Sequence, residues 1–437
     1  MAITLRCLTL LLALAWAAPT LADDPSAGTA NATDRDLEYE DRISELERTV
    51  RVLADELERT RADVTVPEEP ELIARYGLGP AASKVYGVAR GLSIGGYGEA
   101  FYRNYVSDKQ PNDSDTSDFL RGVFYFGYKF TDSIIFNSEI EIEHADEIFL
   151  EFATIDFLLR DYANIKTGLM LIPMGFVNEI HEPTFFYGVN RPDVERFLIP
   201  STWRENGVGL FGNLGELFSY KLYGVNGLDA TGFSQGGIRG ARQKGSKALA
   251  EDFAVVGRFD FMPAENFVLG ASVYAGNSGQ NQTIDDVSIP DSFTTLYDIH
   301  AQYQWRNLWL RGLWTQVFIS QAGALSQALQ DIGELGAGEG IASVMMGGYG
   351  EIAYDIWGLF AESPRSLEPY YRFEWYDTQY DMPDGFDRDE HFRRTVHTVG
   401  LQFKPIPNVV IKADYRNRDA QEGQLADEFN LGFGYVF

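Results

Sequence analysis

Three clusters of charged residues are the parts of this sequence whose types and spacing could do chemistry. In the first, Glu139, Glu141 and Glu143 recur at every second position, and His144, Asp146 and Glu147 follow. At that spacing the three carboxylates share one face of a β-strand. There they either attract cations or hold a divalent ion, or form a solvated wall paired with an arginine of a neighbouring strand. In the second cluster, Arg191, Arg196 and Arg204 lie among Glu179, Glu182, Glu195 and Glu205. Such a mixture binds a charged solute or cross-links its own segment through ion pairs. The third is a basic run, Arg239, Arg242, Lys244 and Lys247. It suits guiding anions, binding anionic surface groups, or simple solvation.

Catalytic patterns are missing from the sequence. His181-Glu182 lacks the second histidine of a zinc-binding helix. Gly95-Gly96-Tyr97-Gly98 lies in a strand pattern and opens no helix, so it is no nucleotide loop. With only five histidines, no serine can be set beside one from sequence. The expectation is a chain with no catalytic residue, no cofactor and no metal site.

The segments that must position these clusters differ in kind. Arg6 and an apolar core from Leu8 to Ala18 precede a small-residue cleavage site at Ala22, with Thr20 two positions earlier. Residues 1–22 are read as a secretory signal peptide; the core is too short to span a membrane. Cys7 is the only cysteine and would leave with it, which excludes a disulfide scaffold and a thiolate metal site. The formal net charge of −28 argues against nucleic acid as a partner and fits an acidic, solvated exterior. Residues 23–35 are small and polar, a disordered linker. Over 36–66, Ile43, Val50 and Leu57 sit seven apart with Leu46 and Leu53 between them, and Tyr39 and Thr60 extend the seam. The 3.5-residue spacing predicts a short coiled-coil helix; a single amphipathic helix lying on the rest of the protein is the other reading. Pro67 and Pro70 end it, and 67–91 read as a second linker.

From residue 92 the period changes to two. Ile134, Phe136, Ile140 and Ile142 oppose Ile135, Asn137, Glu139, Glu141 and Glu143; Val409, Ile411, Ala413 and Tyr415 oppose Lys412, Asp414, Arg416 and Arg418. The pattern resolves into sixteen strands: 92–105, 117–131, 133–144, 147–160, 162–171, 206–213, 217–226, 251–262, 266–275, 294–305, 307–319, 343–359, 367–378, 393–404, 408–418 and 427–437. They are long, even in number, and joined alternately by tight turns and long loops, with 145–146 short where a long loop is due. A soluble sandwich has no reason to sort its loops so. The expected fold is all-β: a 16-stranded antiparallel transmembrane β-barrel over 92–437, preceded by the short coiled-coil helix. The last strand puts Phe429, Leu431, Phe433, Tyr435 and Phe437 on one face. That face is a poor edge for a soluble protein and a good lipid-facing seam.

The stretch Ile172-Pro173-Met174-Gly175-Phe176-Val177-Asn178-Glu179-Ile180-His181-Glu182-Pro183, with Tyr187 to Arg196, Ile199 to Glu205, Asn226 to Ala230 and Gly237 to Gly240, resembles the porins grouped with the phosphate-selective porin O and P family. The resemblance covers most of the barrel. It implies an outer-membrane homotrimer of sixteen-stranded barrels, surrounded by lipid, in which the third outer loop folds into the lumen. A coiled coil before the barrel, in the periplasm, is similar to what some trimeric porins carry. The resemblance implies that 172–205 form the constriction, with Glu179, His181, Glu182, Arg191, Arg196, Trp203, Arg204 and Glu205 in it. The same segment is the longest connection and is rich in Pro, Gly and aromatics. Polar-face assignment lines the pore with Arg103, Arg121, Lys129, Glu139, Glu141, Glu143, Arg258, Arg311, Arg372, Lys412 and Arg416. The same assignment adds Lys221 to the basic set and Glu99, Asp260, Asp298, Glu351, Glu374 and Asp414 to the acidic set, so the two signs are similar in number, and the unmixed arginine ladder of the phosphate-selective members is not found. Phe433, Tyr435 and Phe437 close the barrel and match the terminal signal that the outer-membrane assembly machinery reads in similar proteins.

The expected function is a passive diffusion channel for small polar or anionic solutes, phosphate and organic anions among them. The alternative is a structural barrel whose trimeric coiled coil tethers it in the periplasm. A barrel enzyme comes last.

Overall fold

The computed structural model describes residues 32–63, 73–361 and 363–437, in two units, Met1–Arg61 and Ala62–Phe437. The signal peptide at 1–22, most of the 23–35 linker and the start of the 67–91 linker lie outside the described residues. In the first unit a single helix runs over Ala32–Asp63, beginning before the expected 36. It has no Gly or Pro and is dense in Glu, Arg and Leu, all strong helix formers. Ile43, Leu46, Val50 and Leu53 of the predicted seam are more than half exposed. The side chains of Tyr39, Leu57 and Thr60 are not among those described.

The second unit is a closed antiparallel barrel of sixteen strands, as the alternating pattern predicts. We number them β1 Gly91–Tyr105, β2 Thr116–Thr131, β3 Ile134–Glu143, β4 Glu147–Arg160, β5 Ala163–Leu171, β6 Arg204–Leu214, β7 Phe218–Asn226 and β8 Phe253–Ala264. The second half is β9 Phe267–Gly276, β10 Thr294–Trp305, β11 Leu308–Ile319, β12 Val344–Tyr354, β13 Ser366–Asp381, β14 Arg393–Ile406, β15 Val409–Ala420 and β16 Glu428–Val436. Each strand pairs with the next, and β1 pairs with β16 from Tyr97↔Val436 to Tyr105↔Glu428. Past that ladder, Phe437 N donates to the Gly96 carbonyl at 2.8 Å and Gly96 N to the Phe437 carbonyl at 3.0 Å. No strand edge is left open, which is the condition for strands in hydrocarbon.

Alternation sorts the side chains into two surfaces. Phe124, Val255, Ile299, Phe373, Ile411 and Phe433 are exposed on the outside, one or more such residues on strand after strand. Their neighbours in sequence, such as Tyr125, Val256, His300, Glu374, Lys412 and Gly434, are buried inside. A continuous apolar belt around a closed sheet is the surface of a transmembrane barrel. Among the described residues no helix is long and apolar enough to cross a membrane.

Two expectations need correction. The strand expected over 343–359 ends at Tyr354. There Asp355 accepts hydrogen bonds from Trp357 N (2.9 Å) and Leu367 N (3.0 Å), which turns Trp357–Leu359 into a 3-10 turn. The apolar Trp-Gly-Leu-Phe run there only mimics a strand. More consequentially, the described part of the 67–91 linker is no linker. Leu78, Ala81, Ala82, Val85, Tyr86 and Val88 are buried inside the barrel, most of them packed against Tyr97, Val123, Tyr125, Ile135, Phe152 and Val436. Tyr86 donates to Asp156 (2.6 Å), Asn137 to the Ala82 carbonyl (2.9 Å) and Lys129 to the Val88 carbonyl (3.0 Å). Gly127 gives the plug room: a Cβ there would lie 2.5 Å from Val85. Apolar burial and satisfied hydrogen bonds together hold this segment as a plug at the tight-turn end.

Candidate functional site: the lumen

Of the wall residues singled out from the sequence, Arg121, Glu139, Glu141, Arg311, Arg372, Lys412 and Arg416 are buried inside the barrel. The segment 172–205 leaves β5, packs against the inner wall of the barrel and returns to β6. Its apolar residues Ile172, Met174, Val177, Val194, Ile199 and Trp203 are fully buried. Asn178 ties the two ends together. Its amide donates to the Ile172 (2.6 Å) and Trp203 (2.9 Å) carbonyls and accepts from Trp203 N at 2.7 Å. Glu195 braces the interior, accepting from Phe176 N (2.7 Å), Val177 N (2.8 Å) and Tyr349 Oη (2.6 Å). Gly175, at φ +64°, lets the chain turn over that carboxylate; a Cβ would fall 2.4 Å from Glu195 Oε2.

The wall charges clamp this loop from the far side of the barrel. Arg372 is fully buried; it pairs with Glu374 (3.0 Å) and Glu351 (3.2 Å) and donates to the Tyr187 and Asn190 carbonyls at 3.1 Å. Lys412 donates to the Phe186 (2.8 Å) and Gly188 (2.9 Å) carbonyls and stands 3.9 Å from the Phe186 ring centre. Arg416 bridges Asp193 (2.8 Å) and Glu428 (2.9 Å), and Arg103 donates to Asn190 at 2.9 Å. Arg258 sits with Asp260 (2.8 Å) and His300 (2.8 Å) and donates to the Gly175 carbonyl; Asp298 accepts from Gly175 N at 3.1 Å. Arg311 stacks among Trp309, Phe176 and Phe185. Balanced charge in the lumen is thus charge used up in holding a loop, at sites where a lone ion would be costly.

The carboxylate row resolves into the wall reading. Arg121 lies 3.0 Å from Glu141, 2.9 Å from Glu99 and 3.7 Å from Glu143. Glu139 lies 3.2 Å from His181 Nε2 and accepts from Tyr97 at 3.3 Å. Burial, with the Arg191 cation next, pulls the His181 imidazolium down to about 4, so the ring is neutral at pH 7. Among the described residues no group of His, Cys, Asp and Glu has metal-binding geometry. Glu182 is turned to the plug and accepts from Ala81 N at 2.9 Å; burial pushes its carboxyl up to about 7. Glu179 pairs with Lys221, and Glu205 accepts from Gln243 N (2.9 Å) and Trp203 Nε1 (3.3 Å). Arg196 is exposed, over the Phe197 ring. Arg204 pairs with Glu151 at 2.6 Å.

The basic run splits. Arg239 and Arg242 turn inward and donate to the Ser201 carbonyl at 2.6 and 2.7 Å, with Lys244 beside them. Lys247 lines a separate depression with Asp229 and Glu334. Sequence reasoning passed over Asn178, Asp193, His300 and Tyr349. Asn178 and Asp193 lie in the stretch that carries the family resemblance, a signal that was available. His300 and Tyr349 look like ordinary strand residues.

Among the described residues, two spaces inside the barrel are lined by the loop and the wall charges. At the tight-turn end, a cavity of about 640 Å³ is bounded by plug residues Arg75–Gly77, by Phe176 and Glu179 of the loop, and by Lys221 and Arg258 of the wall. At the long-loop end, a chamber of about 120 Å³ lies between Arg121, Glu141, Glu151, Arg191, Arg204, Arg239, Arg242 and Lys244.

No family model matches the chain. Among solved structures, it is similar to a loop L8 deletion mutant of OmpT, an outer membrane protein of Vibrio cholerae, with a TM-score of 0.52 and 10% identity over 80% of this chain and 100% of that one. It is also similar to Salmonella typhi OmpF in complex with daunomycin, with a TM-score of 0.52 and 11% identity over 80% of this chain and 98% of the other. Identities this low establish the fold alone. An uncharacterized protein of Aquifex aeolicus (strain VF5) is 34% identical over 397 residues, 87% of each chain. The chain belongs to one family with that Aquifex aeolicus protein.

Proposed function

We propose that the protein is an outer-membrane porin, a passive diffusion channel for small polar or anionic solutes constricted by the loop 172–205. The observation that carries this reading is the barrel's inversion: an apolar belt outside and buried charge inside, with water-sized spaces at both ends of the lumen. A protein built only as a scaffold has no need of a polar interior in a membrane, where each buried charge is a cost. Purified protein in planar bilayers is expected to give discrete conductance steps; a silent bilayer from correctly folded protein removes the channel reading. Reversal potential under a salt gradient then reports the preferred ion, and a strong cation preference removes the anion half of the proposal. The mixed, clamped wall charges support general anion passage over a dedicated phosphate ladder.

The exposed seam of the Ala32–Asp63 helix supports a second element: a trimeric periplasmic coiled coil that staples a homotrimer. Ile43, Leu46, Val50 and Leu53 all stand more than half exposed in the single chain, and a few heptads associate only when another contact already joins the chains. Deleting 36–66 is expected to lower the melting temperature of the trimer while leaving the barrel folded. An unchanged trimer melt removes the stapling role. In this reading Phe433, Tyr435 and Phe437 also present the terminal signal taken up by the outer-membrane assembly machinery.

A further inference from the structure

In the chamber at the long-loop end the cations Arg121, Arg191, Arg204, Arg239, Arg242 and Lys244 outnumber the carboxylates Glu141, Glu143 and Glu151. Arg121 is committed to Glu99, Glu141 and Glu143, and Arg204 to Glu151. Arg191, Arg239, Arg242 and Lys244 have no carboxylate among their ion pairs. Arg239 and Arg242 are satisfied by backbone carbonyls, which hold them in place without neutralising them. Arg204 is 5% exposed, yet its Nε has no hydrogen-bond partner, and Arg191 Nη2 has none either. A buried guanidinium donor left unmatched costs free energy, and natural structures leave few. Both donors belong to residues lining the same space, where Arg121 Nε and Nη1, Glu141 Oε1 and Glu151 Oε1 also lack a hydrogen bond, the Arg121 atoms standing at ion-pair distance from Glu99 and Glu141.

We propose that this chamber is a binding site for one small oxyanion or carboxylate entering from the long-loop end. The proposal rests on the channel reading above for its role, as the anion's first stop in the lumen. The volume of about 120 Å³ leaves room for several waters, and so for a small anion. Burial, followed by neighbouring guanidiniums, pulls Arg239 down to about 9; burial likewise brings Arg242 down to about 10. A bound anion relieves that strain. The walls are inward-facing side chains and the loop bases, so the source is a dissolved anion and not a lipid headgroup.

The test is calorimetric titration of the full-length protein in detergent with inorganic phosphate, and separately with acetate, at constant ionic strength set by chloride. Saturable binding at one site per chain is expected. Combined R191Q and K244E substitutions should weaken it at least about tenfold, the loss of one charge-assisted hydrogen bond. Lys244 is exposed, so K244E alone provides a variant that keeps the fold if the double variant does not. No saturable binding by the native protein, or unchanged affinity in K244E and in a folded double variant, overturns the site. Lipid A competing at lower concentration than free phosphate overturns its lumenal source. Conductance in the same preparation separates the two readings. Conduction without binding sinks only this site; binding without conduction sinks only the channel.

Discussion

Replacing Val85 with Asp should expel the plug and raise single-channel conductance roughly twofold or more, because pore width sets ion flow. Val85 is 1% exposed, packed at Gly127 within the cluster that holds Leu78, Ala81, Ala82 and Tyr86 against the inner wall. Its burial contributes about 1.5–3 kcal/mol, and an unpaired carboxylate in its place costs several more. The rest of the plug is held by a few hydrogen bonds of about 1 kcal/mol each, such as Tyr86 to Asp156 and Ala81 to Glu182. The sum leaves little to keep it docked. The barrel's ladders do not pass through the plug, so the β-sheet circular dichroism spectrum should be unchanged. Conductance equal to that of the native protein, in a variant whose residues 73–88 have become protease-sensitive, would show that the plug does not limit flow.

Arg372→Ala should have the largest effect on the loop. The substitution strands Glu351 and Glu374, both buried, and removes the donor to the Tyr187 and Asn190 carbonyls. Breaking a buried pair in this way costs about 3–5 kcal/mol. The penalty falls on the loop's docking, since β12 and β13 keep their backbone ladder. The expected result is a noisy channel with higher mean conductance and new proteolytic cuts within 172–205. Adding Glu351→Gln and Glu374→Gln should restore part of the quiet state by removing the stranded charges. A quiet channel in Arg372→Ala would mean that Lys412, Arg416 and Arg258 hold the loop without it.

How much of this was legible follows from what each element faces. The strands face hydrocarbon on one side and a polar lumen on the other, so alternation is written almost without exception, as in Ile134–Glu143 and Glu428–Val436. That the loop turns inward was implied by the family resemblance, and its length and aromatics agreed with a functional loop. Its clamps were not: Arg372 reaching Asn190, or Arg416 reaching Asp193, joins residues nearly two hundred or more positions apart, and nothing local encodes the partner. The plug was hidden by its composition. Gly77, Gly79, Ala81, Ala82 and Ser83 look like spacer, and glycine at 77 and 79 is what a close approach to Lys221 and to the Glu182 carboxyl needs. Leu78, Val85, Tyr86 and Val88, apolar in a stretch too short for its own core, were the clue.

The plug also bears on time. Fifteen of the sixteen strand pairings join neighbours in sequence across a turn or loop; only β1 with β16 joins the two ends of the barrel chain. That last pairing closes the longest loop and gains no help from a hairpin, so contact order predicts that it forms late. The plug cluster includes Val436 of β16 together with Tyr97 of β1, and the Ala81 carbonyl lies over Gly95 beside the Phe437 carbonyl. A segment that folds back onto β1 early offers β16 an apolar landing before its ladder forms. The part that packs inside the finished barrel is therefore expected also to shorten the wait for it to shut, so a chain lacking 73–88 should close its barrel more slowly in a refolding time course.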